Sequence, residues 1–188
     1  MKIWNFLIGS IIVIVSCFVF FLIPNSLTIF SFSGELFFKG EIWRIITFPF
    51  THINLNHLIE NFIAIGITSL LAFELGLRGR YFVYCFLLSS FLVALTEAFL
   101  FPTIIIAGAS LGIYAVLGAI SIKGSNFIPK YIFVPLLGLS VFIKYLFSAF
   151  TKELMKQSLF HFSGFVTGIA LFYLFTKLKR KKKILQVM

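Results

Sequence analysis

The 188-residue chain is 60% hydrophobic and 12% charged and holds 27 phenylalanines, too few polar residues to cover a water-soluble domain of this size. Its net charge of +10 does not point to nucleic acid, because the positive residues gather in one run, KLKRKKK at Lys177 to Lys183, rather than along a surface interleaved with aromatics. Anionic lipid headgroups are the better partner for that run.

Crossing a hydrocarbon core of roughly 30 Å takes about 20 apolar residues. Six runs approach that length: Ile3 to Ile23, His52 to Phe73, Tyr81 to Phe101, Ile105 to Ile122, Tyr131 to Phe150 and Gln157 to Thr176. The first has Lys2 ahead of it, and IVSC at Ile14 to Cys17 loosely matches a lipoprotein cleavage box. The apolar run continues through FVFFLI, past where a cleaved signal ends, and so reads as an uncleaved helix. Cys17 and Cys85 both fall in apolar runs and read as packing residues rather than a disulfide or a thiolate metal site. The connection from Pro24 to Thr51 is too long for a tight turn and too aromatic for a solvated linker, so part of it is expected on the membrane interface.

With the N-terminus inside, the cytoplasmic side collects Lys2, Arg78, Arg80, Lys123, Lys130 and the basic run, eleven positive residues. The outside holds five: Lys39, Arg44, Lys144, Lys152 and Lys156. Both termini are therefore predicted to be cytoplasmic. The expected fold is an all-α membrane protein of six transmembrane helices, one domain over 1–176 followed by a basic cytoplasmic tail at 177–188.

Polar residues inside these runs are costly and mark candidate function. His57 and Asn61 lie about one and two turns into the second run, Ser110 about one turn into the fourth and His161 about one turn into the sixth, all at nearly one level. At 100° per residue, His57, Asn61, Ala64 and Thr68 share one face, as do Ser110, Tyr114 and Leu117. Gly108, Gly112, Ala115 and Ala119 form a small-residue stripe on the opposite face of the fourth run. Gly164 and Gly168 share a face with His161, a spacing that lets two helix backbones close and would carry His161 to Ser110.

Each residue also has a plain structural reading. A serine in a membrane helix usually bonds the carbonyl one turn back, Tyr114 suits a core, and Gly164 with Gly168 suits a packing seam. The combination carries more: serine with histidine supplies a nucleophile and its base, and His57 with Asn61 supplies two donors for a developing oxyanion.

WRIITFPFTHINLNHLIENF (Trp43 to Phe62), GASLGIYAVLGA (Gly108 to Ala119) and HFSGFVTG (His161 to Gly168) together resemble the motifs of the rhomboid intramembrane serine proteases, in the family's order, over about Trp43 to Phe175. The resemblance implies a rhomboid-type bundle in the cell membrane, opening to the outside, that cuts transmembrane protein substrates with no cofactor and no metal. It implies Ser110 as nucleophile, His161 as base in a dyad, and His57, Asn61 and the Ser110 amide as the oxyanion site. It further implies that Tyr114 stacks on His161, that His52 serves the water-accessible cavity, and that Glu74 with GLRGR closes the inner end of the second run.

Two positions depart from the family pattern. Leu111 follows the serine where the family has glycine, which is the one feature favouring an inactive, segment-binding homologue. Glu60 places a carboxyl where the family tends to be apolar; it either pairs with Lys144 or faces a polar interior, and Glu97 is an equal candidate partner for that lysine. Other classes fit less well. A zinc enzyme on His52, His57 and His161 lacks the H-E-x-x-H spacing, and helical angle turns His52 about 140° from His57. A transporter or channel would show repeats, broken spans or rings of charge. A specialised rhomboid that processes C-terminal sorting tails is a reading within the family that only a substrate would distinguish.

Overall fold

Nine α-helices and one 3-10 turn make up the regular structure of the described residues, 3–124, 127–148 and 152–185 of the computed structural model. They are α1 (Ile3–Leu22), α2 (Ser26–Phe30), α3 (Gly34–Phe38), α4 (Arg44–Thr47), the 3-10 turn Phe48–Phe50, α5 (Leu55–Glu74), α6 (Gly79–Leu100), α7 (Ser110–Lys123), α8 (Lys130–Ser148) and α9 (Lys152–Leu185). Among the described residues each apolar run of the sequence contributes most of one helix, and the short helices α2 to α4 fill the connection between the first two runs.

The expected bundle of six transmembrane helices is corrected by these lengths. Among the described residues three helices are long and apolar enough to span a bilayer: Leu55–Glu74, Gly79–Leu100 and Lys156–Lys179. Counted over the residues whose side chains are described, the apolar parts of α1, α7 and α8 are shorter stretches, Leu7–Leu22, Ser110–Lys123 and Lys130–Leu139. For α7 the cause is visible. The first residues of its run are not helical: Phe32 and Ile106 form an isolated antiparallel bridge, with both N–H···O bonds made, at 2.9 and 2.7 Å. Gly108, at φ +108°, then turns the chain so that the Gly108 N–H donates to the Phe48 carbonyl at 3.0 Å. The helix starts only at Ser110 and its 14 residues rise about 21 Å. Lys2, Lys144, Lys152 and the end of the basic tail, all used in the charge count or in the pairing of Lys144, lie outside the residues whose side chains are described.

The connection between α1 and α5 is organised by a buried cation. Arg44 donates to the Thr28 and Ser31 carbonyls at 2.9 and 2.8 Å and pairs with Glu41. Closing two carbonyls and a carboxylate around one guanidinium satisfies a charge that is 5% exposed and ties α2 to α4. Trp43 reaches back to donate to the Ile29 carbonyl. Phe32 and Phe48 are fully buried above the loop that precedes Ser110, so this connection is packed onto the site-bearing end of the helices.

Helix ends follow their local chemistry. Asn54 caps α5, its Oδ1 accepting from the His57 N–H at 2.8 Å, which fixes the first turn that carries His57. At the other end Gly76 takes φ +70° and the Leu77 N–H donates to the Ala72 carbonyl at 2.8 Å, a six-residue closure of the last turn in which Leu77 is buried. Glu74 is thus the last residue of α5, and the GLRGR stretch carries the chain into α6. Cys17 and Cys85 are fully buried free thiols in the core around Phe82, Phe86 and Val116.

The closest pair of helices is α7 with α9. A Cβ at Gly168 would fall on the Ala115 carbonyl, one at Gly164 would lie 2.8 Å from the Leu111 carbonyl, and one at Gly118 would fall on the Phe165 carbonyl. Glycines on both helices therefore allow backbone-to-backbone packing, as in other close helix pairs in lipid. Gly112 faces the other way, against the Phe86 ring of α6. The Ser89 hydroxyl of α6 donates to the Gly164 carbonyl at 3.3 Å, so α9 is held from two sides next to His161. The helix α9 continues through the basic stretch to Leu185.

Candidate active site

Ser110 is the first residue of α7. Ala109 before it has no side chain that could cap the helix, so the first-turn amides keep the partial positive charge of a helix N-terminus at the serine. The contact of α7 with α9 sets His161 opposite it, and His161 Nε2 lies 2.9 Å from Ser110 Oγ. With Nε2 unprotonated, the hydroxyl donates to the ring. His161 is 3% exposed, while Ser110 is half-buried. Tyr114, one turn after Ser110, stacks on the imidazole with ring centroids 4.4 Å apart and planes 30° apart. Packing of this kind fixes a ring plane without supplying a charge.

Two cavities of about 330 Å³ each meet at this pair. Ser110, His161, His57 and Gln157 line both. The first runs along α5 and α7, past Asn61, Ala64, Thr68, Tyr114 and Leu117, so the residues that share a helical face in the sequence line one wall. The second runs under the loop before Ser110, past Ile104, Ile106, Leu111 and Phe160. Leu111, 2% exposed, packs in the cluster with Phe32, Phe48 and Phe160.

Asn61 is buried and its Nδ2 donates to the His57 carbonyl at 2.8 Å. An amide nitrogen carries two hydrogens, so this bond orients the group and leaves a second donor. Gly108 lies directly against His57: a Cβ there would be 2.6 Å from the imidazole Cε1. The sequence places Gly108 on a helix-contact stripe, but it precedes the helix and serves instead to let the loop pass the ring. Gly108→Ala should therefore cost about 1–3 kcal/mol of backbone strain and push His57 aside as well. Gly40, at φ +100° with no atom within 4 Å of a Cβ, isolates the strain. Thermal inactivation of Gly108→Ala well below that of Gly40→Ala is the expected result, and equal midpoints would remove the contact from the account.

His52 is placed differently from the helical-angle expectation. It precedes α5, so the rotation of 100° per residue does not apply to it, and its ring comes to lie edge-on to His57 with centroids 5.1 Å apart. It is buried, with Nδ1 3.1 Å from the Phe50 carbonyl. Because a carbonyl only accepts, the proton sits on Nδ1. Burial, and after it the neighbouring His57, lower its pKa from 6.5 to about 4, so it is neutral at pH 7.

Three charged or polar lining residues were not singled out in the sequence as parts of a site. Glu60 lines the first cavity, Lys156 the second and Gln157 both. Gln157 sits four residues before His161, a spacing that would have put it on the same face. Glu97 is buried elsewhere, in a groove between α6 and α9 with Thr96, Ser163 and Thr167.

The helices and this site define a multi-pass integral membrane protein that carries a hydrogen-bonded serine and histidine in a cavity. A family model described as the rhomboid domain matches residues 39–178, which includes every residue of the site, and the chain belongs to the rhomboid family. A comparison with curated proteins gave no match.

Proposed function

We propose that the protein is an intramembrane serine endopeptidase that hydrolyses peptide bonds in or near transmembrane segments of other proteins. The observation that carries this reading is the 2.9 Å hydrogen bond between Ser110 Oγ and His161 Nε2 at the junction of two cavities. Membership of the rhomboid family, whose proteins generally cleave transmembrane substrates, supports it.

In this mechanism His161 Nε2 takes the hydroxyl proton as Ser110 Oγ attacks the scissile carbonyl. The oxyanion forms at the N-terminus of α7, where the Ser110 amide, the second hydrogen of Asn61 Nδ2 and the His57 ring can donate to it. Collapse of the tetrahedral intermediate breaks the C–N bond, and His161 returns the proton to the leaving amine. Water then attacks the acyl-enzyme with His161 again as base, releasing the second product and restoring Ser110. Stacking on Tyr114 orients the ring throughout. Positive residues favour the cytoplasmic side, and the basic run lies at the opposite end of α9 from His161, so the site opens away from the cytoplasm.

A fluorophosphonate probe is expected to label the purified full chain and to lose labelling in Ser110→Ala. Absence of labelling in folded protein would favour the inactive homologue that Leu111 suggests. His57→Ala and Asn61→Ala should each lower turnover by roughly 10- to 1000-fold while leaving part of the labelling, since loss of one oxyanion donor typically costs on the order of 100-fold or more. Activity indifferent to both substitutions would remove these residues from the oxyanion site.

A further inference from the structure

The two cavities that meet at the serine and histidine differ in charge. Among the described residues, Glu60 is the one carboxyl lining the first, and Lys156 is the one ammonium lining the second. Among the described residues neither makes an ion pair, with the other or with any third residue. Both cavities include Ser110 and His161, so a peptide whose scissile carbonyl sits at Ser110 can lay one flank in each. One flank then passes a carboxylate and the other an ammonium.

We propose, resting on the protease reading above, that this site selects substrates by a charge pair: a basic side chain on one side of the scissile bond, seated against Glu60, and an acidic side chain on the other side, seated against Lys156. Glu60 is exposed and Lys156 half-buried, so each charge is solvated when the cavities hold water and gains its partner only when substrate enters. Discrimination comes as much from repulsion as from attraction. A segment with the reverse charge order sets carboxylate against Glu60 and ammonium against Lys156, and unpaired like charges in a partly dry cleft are rejected. Each cavity, at about 330 Å³, has room for a long charged side chain.

The test uses the full chain in lipid vesicles and three reporter segments with one apolar sequence. The first carries lysine before and aspartate after the cleavage point, the second aspartate before and lysine after, and the third glutamine and asparagine. Exposed pairs contribute little individually, so the expected preference is about tenfold in kcat/KM between the two charged orders, with the neutral reporter between them. The preference should shrink as salt is raised. All rates are expressed relative to the neutral reporter for the same variant, which cancels differences in folded fraction. The double variant Glu60→Lys/Lys156→Glu should reverse the order of the charged reporters. Glu60→Gln and Lys156→Gln, which change shape less, should each reduce the preference severalfold. Equal kcat/KM for the two charged orders, or a preference unchanged in the double variant and in both neutral ones, overturns the proposal. Failure of the protease reading looks different: no reporter is cut, or Ser110→Ala cuts them as fast as the intact chain, and both proposals then fall.

Discussion

Ser110→Ala is expected to lower cleavage of a transmembrane reporter by at least about a thousandfold, and His161→Ala by a similar factor. In the proposed mechanism one proton passes across the 2.9 Å hydrogen bond between the two groups, so neither performs the attack without the other. Removing the hydroxyl leaves no nucleophile, and removing the ring leaves an alcohol whose proton has no acceptor. Because they act as a unit, the double variant should be no worse than the worse single one. Measured losses that multiply in the double variant would mean that the two residues act in separate steps, contrary to the geometry. Tyr114→Ala should reduce kcat less than either, since the stacked ring is oriented and not charged by its neighbour.

The second large effect is expected from a residue that touches no substrate. Gly168→Val places side-chain atoms where the Ala115 carbonyl already lies, at the seam that carries Ser110 on one helix and His161 on the other. Overpacking usually costs about 1–3 kcal/mol, and more where the obstacle is backbone that cannot rotate away. Separation of α7 from α9 to relieve the overlap would also lengthen the serine–histidine bond, so stability and activity should fall together. A drop of roughly 10 °C in the midpoint of thermal inactivation is expected, along with loss of fluorophosphonate labelling in the fraction that remains folded. Gly66→Ala is the matched control: nothing lies within 4 Å of a Cβ there, and alanine favours helix over glycine. It should be neutral or slightly stabilising. A Gly168→Val protein as stable as wild type would show that the seam is looser than its carbonyl contacts imply.

Much of the candidate site is legible in the residue pattern. His57, Asn61, Ala64 and Thr68 share a face by helical angle, and they line one wall because α5 is a regular helix over that stretch. Ser110, Tyr114 and Leu117 behave in the same way on α7, and the pairing of small residues on α9 with α7 follows from the spacing of Gly164 and Gly168. Legibility ends where the local period ends. His52 lies ahead of α5, and its approach to the His57 ring depends on a turn anchored by the Phe50 carbonyl, not on helical rotation. Gly108 looks like one more helix-contact glycine until its φ of +108° shows it outside the helix.

What the sequence by itself determined is the membrane class, the helical runs and the faces on which the polar residues lie, because periodicity and apolar length are properties of a single segment. The tertiary structure decided how much of each run becomes helix and what stands on either side of the serine. The Phe32–Ile106 bridge joins residues far apart in the chain and withdraws the start of the fourth run from α7. Glu60 comes from α5 and Lys156 from α9 to line two cavities that share one hydroxyl. Both outcomes depend on backbone pairing and packing between distant segments, whose free energy is gained only when those segments meet, and so leave no local period in either of them.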